Sequence, residues 1–249
     1  MRSANYSCWL GRYEVEKQHA FARAIAPGAT VFDIGAHVGI YSLLANRRAG
    51  PSGRVIAFEP LSSNVAVLKR HASLNHASIE VVAAAVADRD GQAFFAAGTD
   101  NYTGRLSESG ESVTLVKLDT LIESGAIPKP DVLKIDVEGA EDRVLQGAES
   151  MIRFARPVIF LAVHGPDVRA RCLDLLKGLG YSIEALNVRG LPPDSEFVAR
   201  PSDPKAPGAV TPGAASELSD SAFGRPALER PDRQLGHRSV MGNGRTGLA

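Results

Sequence analysis

The chain has 249 residues, a length that suits one α/β domain of roughly 200 residues with an extension. Its formal net charge is zero, with 28 basic and 28 acidic side chains, so no overall field attracts nucleic acid. Two cysteines are too few for a disulfide scaffold, and no apolar stretch approaches the roughly 18 residues of a membrane span. The N-terminal residues also lack the apolar core of a signal peptide. We therefore expect a cytoplasmic protein without a nucleic-acid or membrane partner.

The first half of the chain alternates helical and extended patterns. Apolar residues recur at helical spacing in some segments, and continuous apolar runs form the others. In chain order these patterns predict a helix at 14–25, a strand at 30–34, a helix at 39–48, a strand at 54–58, a helix capped by Ser62 or Ser63, and a strand at 79–86.

The second half begins less regularly, with short strands at 94–95 and 113–118 flanking a polar loop at 98–112. The patterns then predict a strand at 132–135, a helix at 140–154, a strand at 158–163, a helix at 167–179, and strands at 181–186 and 196–199. Repeated alternation with nearly continuous apolar strands predicts an α/β fold, in which helices cover both faces of a parallel sheet.

Composition divides the chain into three parts. Residues 1–29 are predicted to be a helical segment, and 30–200 to form the α/β domain. Residues 201–249 contain six prolines and seven glycines but no Ile, Trp or Tyr. Such a segment buries too little apolar surface to offset its ordering entropy, which predicts a disordered tail.

The most informative segment is the turn from Gly35 to Gly39 between the first strand and its helix. Strand, glycine turn, helix, and a second strand that ends in Glu59 make up the first half of a nucleoside-binding sheet. A dinucleotide site favours a third glycine, whereas Asp33 beside this turn suits a cationic ligand such as S-adenosylmethionine (SAM). The Glu59 carboxylate could accept two hydrogen bonds from a ribose. A turn with two glycines can also be purely structural.

Other polar residues end the later strands, where ligands of open parallel sheets bind. They lie at 84–88, at Asp136 to Gly139 and at His164-Gly165. Asp136 and Glu138 could instead favour the start of the next helix, and His164 could be a structural histidine at a strand end. Polar residues at the ends of five consecutive strands nevertheless favour a ligand site.

Four motifs in this order resemble the FkbM-type methyltransferases: D-I-G-A-x-x-G at 33–39, A-F-E-P at 57–60, V-L-K-I-D-V-E-G-A-E at 132–141, and R-P-V-I-F-L-A-V-H-G at 156–165. The resemblance extends from about Gly11 to about Arg200. It implies a Rossmann-like class I methyltransferase with a mostly parallel seven-stranded sheet. It also implies SAM as methyl donor and a small hydroxylated acceptor, such as a sugar or a polyketide.

The resemblance also implies roles for individual residues. The turn would hold the methionine part of SAM, Glu59 its ribose, and the backbone at 84–86 its adenine. The expected cofactor-binding residues are Asp33, Gly35, Ala36, His37, Gly39, Glu59, Pro60, Ala85 and Val86. Asp136, Glu138 and His164 would line the place where methyl group and acceptor meet.

Two positions depart from the family pattern, because His37 replaces a usual Asn and Ala162 replaces a frequent acid. No clear motif supports a metal site, although Asp136 and Glu138 could bind a divalent cation. Otherwise His164 would be the base that accepts the hydroxyl proton. A catalytically silent SAM-fold accessory protein and a nicotinamide-dependent oxidoreductase are the alternative functions.

Overall fold

The structure, a computed structural model, describes residues 14–97, 104–107 and 110–202. The tail from 203 onward and the loop segments 98–103 and 108–109 lie outside the described residues. The helices are α1 (Val15–Ala24), α2 (Ile40–Ala49), α3 (Ser62–Leu74), α4 (Leu118–Glu123), α5 (Glu141–Gln146), α6 (Glu149–Ala155) and α7 (Pro166–Gly178). The strands are β1 (Thr30–Ile34), β2 (Arg54–Phe58), β3 (Glu80–Val82), β4 (Ala85–Val86), β5 (Gly91–Ala97), β6 (Gly104–Ser107), β7 (Glu111–Val116), β8 (Val132–Ile135), β9 (Val158–Ala162), β10 (Tyr181–Ala185) and β11 (Glu196–Pro201).

Seven of the strands form one mostly parallel sheet in the order β10-β11-β9-β8-β1-β2-β3. The pairs from β9 to β3 are parallel, and β11 is antiparallel to both of its neighbours. The predicted α/β architecture is therefore confirmed. The chain reverses its direction across the sheet at β1, which makes the carboxyl end of β1 the expected ligand crevice.

The two faces of this sheet are covered by different helices, because successive strand residues point to opposite sides. Phe32 and Ile34 pack in a cluster with residues of α5, α6 and α7. Val31 packs on the other face with Phe21 of α1 and with α2. Phe21 meets the rings of Tyr41 and Phe160 edge-on, at centroid distances of 5.3 and 5.2 Å. The predicted N-terminal helix thus belongs to the same hydrophobic core as the sheet.

The predicted strand at 79–86 is wrong, because the chain breaks between β3 and β4. β3 stays in the main sheet, whereas β4 pairs with β7 in a second sheet of order β4-β7-β5-β6. The carbonyl of Val82 accepts the backbone N–H of Ala84 at 2.9 Å, and this tight turn redirects the chain. The second sheet also contains β6, which lies inside the predicted polar loop.

The predicted helix at 140–154 is wrong as one element, because it divides into α5 and α6 at Gly147. The Asp119 carboxylate accepts the N–H groups of Ser150 and Met151 at 3.1 and 2.8 Å, and thereby caps the start of α6. The predicted capping of α3 by a serine is also wrong: α3 begins at Ser62, after Leu61, without a side-chain cap.

Gly147 should not tolerate a side chain. A Cβ there would lie 1.9 Å from the carbonyl oxygen of Ala87, a backbone atom that cannot rotate away. We expect Gly147→Ala to destabilise the fold by about 2 kcal/mol or more. Gly178→Ala is the matched control, because its Cβ would meet nothing within 4 Å. Urea unfolding of both variants tests this, and equal midpoints would contradict the described contact.

The described part of the chain ends two residues beyond the predicted boundary at 200. Pro201 lies opposite Tyr181 in the β10–β11 pair, and Ser202 N–H donates to the carbonyl of Gly180 at 2.9 Å. None of the helices in the described ranges is long and apolar enough to cross a bilayer.

We predict that residues after Ser202 are dispensable for folding. The Pro- and Gly-rich composition of that segment motivates this expectation. A chain that ends at Ser202 should melt within a few degrees of the full chain. A chain that ends at Asp194 loses β11 and should not fold. A large loss of melting temperature in the first chain would show that the tail packs on the domain.

Candidate active site

The turn after β1 requires glycine at two positions. Gly35 has φ +73°, and a Cβ there would lie 1.8 Å from the carbonyl oxygen of Asp136. Gly39 has φ +89°, and its Cβ would meet Leu68 at 2.9 Å. His37 between them has φ +51°, in the left-handed region where His and Asn are both enriched. The turn therefore lies directly against the end of β8.

Glu59 fixes this turn to the end of β2. Its carboxylate accepts the His37 N–H at 2.9 Å, the Leu61 N–H at 3.1 Å and the Asn64 side-chain amide at 3.1 Å. The residue is only 4% exposed. A carboxylate offers about four acceptor positions, so these donors leave room for about one further hydrogen bond.

Asp33 is fully buried and pairs with a lysine that lies opposite it in the β1–β8 register. Lys134 Nζ lies 3.2 Å from Asp33 Oδ1, and Ser42 donates to Oδ2 at 2.6 Å. The ammonium also donates to the Gly35 carbonyl at 2.9 Å. Burial opposes the charge on Lys134, but Asp33 and Asp136 outweigh burial and raise its pKa. Asp33 thus holds the turn through Lys134, with its carboxylate in the interior.

Helix α1 contributes a second buried lysine to the centre. Lys17 is 1% exposed, and its Nζ lies 2.7 Å from Glu196, 3.5 Å from Glu14 and 3.6 Å from Asp136. Burial alone would lower the pKa of Lys17, but these three carboxylates raise it. The ammonium therefore stays charged. Lys17 joins α1, β11 and the end of β8.

Asp136 lies between the lysines and a histidine, and its side chain is 22% exposed. Its Oδ2 is 3.6 Å from Lys17 and 3.7 Å from Lys134, and its Oδ1 is 3.9 Å from His164 Nε2. Burial raises the pKa of Asp136, but Lys134 and Lys17 exceed that effect and lower it overall. Asp136 is therefore ionised at neutral pH.

His164 is held by an acid that was not among the predicted residues. Its Nδ1 lies 2.8 Å from Oε1 of Glu141, which is fully buried at the start of α5. Its Nε2 faces Glu138 at 3.5 Å and Asp136 at 3.9 Å. The hydrogen bond to Glu141 raises the pKa of His164 to about 9, and the charges of Glu138 and Asp136 add to this rise.

The raised pKa of His164 makes stability depend on pH. Its ordinary pKa is 6.5, so the stabilisation is fully present below pH 6.5 and is lost as pH rises through about 9. We expect unfolding midpoints to fall between about pH 7 and about pH 10 in the wild type, and to fall less in His164→Ala. An NMR titration of the imidazole checks the value directly, and a pKa near 6.5 would contradict the Glu141 contact.

The structure brings most of the predicted residues together around the turn. Glu59 binds His37, Gly35 touches Asp136, and Asp136 faces His164. Pro60 follows Glu59, two residues after the end of β2. Ala85 and Val86 lie in β4 of the second sheet, and the end of β3 connects them to Glu59, whose N–H donates to Val82 at 3.1 Å.

Five charged residues of this centre were not among the predicted site residues: Glu14, Lys17, Lys134, Glu141 and Glu196. Lys134 carried a signal in the sequence, because it is a charged residue within the apolar run of β8. The structure shows that it is buried. Glu141 lies within a quoted motif, three residues after Glu138, and only the fold directs it to His164. Lys17 occupies an ordinary position of an amphipathic helix, and nothing in its local sequence marks it.

The centre fits SAM in charge. Glycine at positions 35 and 39 lets the turn pack directly against Asp136 and Leu68, where a Cβ would clash. Carboxylates outnumber ammonium groups around Asp136, which favours a ligand with a sulfonium and an ammonium group. These features and the sheet are those expected of a SAM-dependent methyltransferase.

The family follows from sequence comparison. The methyltransferase FkbM domain model matches residues 33–183, and the chain belongs to this family. The chain is 26% identical over 171 residues to the hexuronic acid methyltransferase AglP of Haloferax volcanii. The aligned part covers 68% of each of the two chains. It is 27% identical over 197 residues to the 31-O-demethyl-FK506 methyltransferase FkbM of Streptomyces tacrolimicus, covering 65% of this chain and 75% of that protein.

A solved structure supports the same fold. The methyltransferase FkbM of Methylobacillus flagellatus superposes with a TM-score of 0.52 at 18% identity, over 69% of this chain. The matched part is 43% of that chain. The similarity therefore concerns the fold of the methyltransferase domain.

Proposed function

We propose that the protein is an O-methyltransferase that transfers a methyl group from SAM to a hydroxyl of a small molecule, such as a sugar or a polyketide. Two curated relatives, a hexuronic acid methyltransferase and a 31-O-demethyl-FK506 methyltransferase, support a small-molecule acceptor. The observation that carries the proposal is His164. Its Nε2 faces two carboxylates beside the glycine turn, at the edge of an open cavity. The cytoplasm remains the predicted location.

We assign cofactor binding to the residues around the turn. Glu59 would accept a ribose hydroxyl at its remaining acceptor position, and the turn from Gly35 to Gly39 would hold the methionine part. The backbone near Ala85 and Val86 would lie at the adenine, and Pro60 would limit the cofactor's movement beside Glu59. When bound, SAM supplies the electrophilic methyl group.

The chemistry that remains for the protein is alignment and removal of a proton. In this proposal the neutral His164 accepts the hydroxyl proton at Nε2, while Glu141 fixes the ring through Nδ1. The pKa of about 9 leaves the imidazole mostly protonated at pH 7. A cation bound nearby would lower this pKa and increase the neutral fraction. Asp136 and Glu138 would orient the acceptor or the imidazole.

A divalent cation is the competing account of the chemistry. Ligand atoms of Asp136, Glu138 and His164 lie within 4.8 Å of one another, so they could bind one ion. Lys17 and Lys134 already face Oδ2 of Asp136 at 3.6 and 3.7 Å, and their charges oppose a second cation. We therefore favour the histidine, with metal dependence decided by experiment.

Turnover tests the proposed function. Labelled SAM is incubated with a panel of sugar and polyketide acceptors, and S-adenosylhomocysteine is measured together with the methylated product. Methylation of a hydroxyl supports the proposal. Calorimetric binding of SAM without turnover of any acceptor would favour a silent accessory protein. Binding of a nicotinamide dinucleotide in place of SAM would favour an oxidoreductase.

A further inference from the structure

A cavity of about 750 Å³ opens beside the proposed methyl-transfer centre. Asp136, Glu138 and His164 line it together with the loop before β11. Leu191, Pro192 and Pro193 of this loop add apolar surface to the lining. The cavity can therefore accommodate a ring with one apolar face and several polar substituents.

Carboxylates predominate in the lining of this cavity. The acids are Glu14, Asp136, Glu138, Asp194 and Glu196, and the cationic side chains are Arg169 and His164. Lys17 lies behind this lining, but three of the acids share its single charge. Lys134 also faces Asp136, and it pairs with the buried Asp33, while His164 pairs with the buried Glu141. With these groups included, seven carboxylates face four cationic groups among the described residues.

Two of these acids retain acceptor capacity toward the cavity. In the described ranges, no cationic group lies within ion-pair distance of the Asp194 carboxylate, which is exposed and lines the cavity. Arg169 instead donates to the backbone carbonyl of Asp194 at 3.4 Å. Glu138 is 38% exposed, and its ion-pair partner is His164, through Oε2 at 3.5 Å. A positive group on a ligand could therefore bind either carboxylate.

Glu196 supports the same conclusion at one point of the lining. Burial raises the pKa of Glu196 to about 7, against the effect of Lys17, and the charges of Asp136 and Glu14 raise it further. The protein thus resists ionisation of one of its own lining carboxylates. A carboxylate introduced by a ligand beside Glu196 would face the same neighbouring charges of Asp136 and Glu14.

We propose that this cavity takes a hydroxylated acceptor that carries a protonated amino group, such as an amino sugar, and excludes acidic acceptors. The inference rests on the proposed function, because it treats the cavity as the acceptor site. The sulfonium of SAM can offset one of the unpaired acids, and the ammonium group of the acceptor would offset another. A carboxylate on the acceptor would instead add to the excess of negative charge in the cavity.

Three sugars that differ only at carbon 6 test the charge preference: 6-amino-6-deoxyglucose, glucose and glucuronate. Each is titrated into the protein saturated with S-adenosylhomocysteine, and the imidazole resonances of His164 report binding. We expect the amino sugar to bind at least about tenfold tighter than glucose, and glucuronate to bind at least about tenfold weaker than glucose.

Two variants localise the effect. Asp194→Asn should weaken binding of the amino sugar severalfold and leave the affinity for glucose unchanged. Glu184→Gln, on the exposed side of β10 and away from the cavity, should change neither. Three outcomes would overturn the inference. The amino sugar and glucuronate could bind equally, or the amino sugar could bind no tighter than glucose. Asp194→Asn could also weaken the binding of all three sugars equally. Loss of the amine preference on addition of Mg²⁺ identifies a metal ion as the occupant and also overturns it.

Calorimetric titration of SAM separates this inference from the proposed function. A protein that does not bind SAM contradicts the proposed function, and the sugar titrations can then be repeated without cofactor. A protein that binds SAM but prefers glucuronate retains the proposed function and loses the inference.

Discussion

Glu59→Ala should bind SAM about 30- to 150-fold more weakly than the wild type. The expected loss of about 2 to 3 kcal/mol corresponds to a charge-assisted hydrogen bond between the carboxylate and the ribose. Calorimetric titration measures it. Unchanged affinity in a folded variant would contradict the assignment of Glu59 as the ribose anchor.

The controls for Glu59 must separate ribose binding from support of the turn. The carboxylate also accepts the His37, Leu61 and Asn64 donors, so Glu59→Ala should lower the melting temperature as well. A cofactor product that lacks the 2′-hydroxyl isolates the ribose contact. The wild type should bind this deoxy product more weakly than the complete product. Glu59→Ala should bind the two products equally, because the contact is already lost. Glu80→Ala removes an exposed carboxylate paired with Arg54 and should leave SAM affinity unchanged.

His164→Ala should lower kcat by about a hundred- to ten-thousand-fold, the usual range for loss of a general base. SAM affinity should stay within a few fold of the wild type, because the proposed contacts of the cofactor lie around the turn and Glu59.

The pH dependence of the rate adds a second readout. Since the pKa of His164 is raised to about 9, kcat/KM of the wild type should increase with pH toward that value. His76→Ala, in an exposed turn, is the matched control.

Two further measurements decide between the histidine and the metal. A chelator should leave turnover intact if His164 is the base. Glu141→Gln should move the alkaline rise of kcat/KM toward lower pH, because it removes the carboxylate that raises the pKa of His164. If chelation abolishes turnover while His164→Ala remains near wild type, the histidine mechanism is wrong.

The main sheet could be predicted from the sequence because its strands are buried on both faces and appear as continuous apolar runs. The second sheet could not be predicted in the same way. β4 has two residues, and its partner β7 is 25 or more positions later in the chain. β6 contains Gly104, Arg105 and Ser107, which lack an apolar pattern. The break at Gly147 packs against the Ala87 carbonyl, and Asp119 caps the helix that follows it; both partners are distant in sequence.

The positions of the site residues followed from the rule that ligands bind at the carboxyl ends of parallel strands. The partners of those residues did not follow from it. Asp33 was expected near the ligand, but the β1–β8 register places Lys134 opposite it and buries both. His164 was expected to be the base, but nothing in the sequence indicated the Glu141 contact that raises its pKa to about 9. Such effects depend on which side chains the fold makes neighbours.

Lys17 on α1 shows that the charged centre needs residues on both sides of the matched family segment. The matched family segment covers 33–183, whereas Lys17 precedes it and Glu196 follows it. A fragment restricted to that segment would retain the turn, Asp136 and His164. It would also leave Asp136 without one of its two ammonium neighbours and would remove a wall of the cavity. The segment by which the family is recognised is therefore smaller than the unit that forms this cavity.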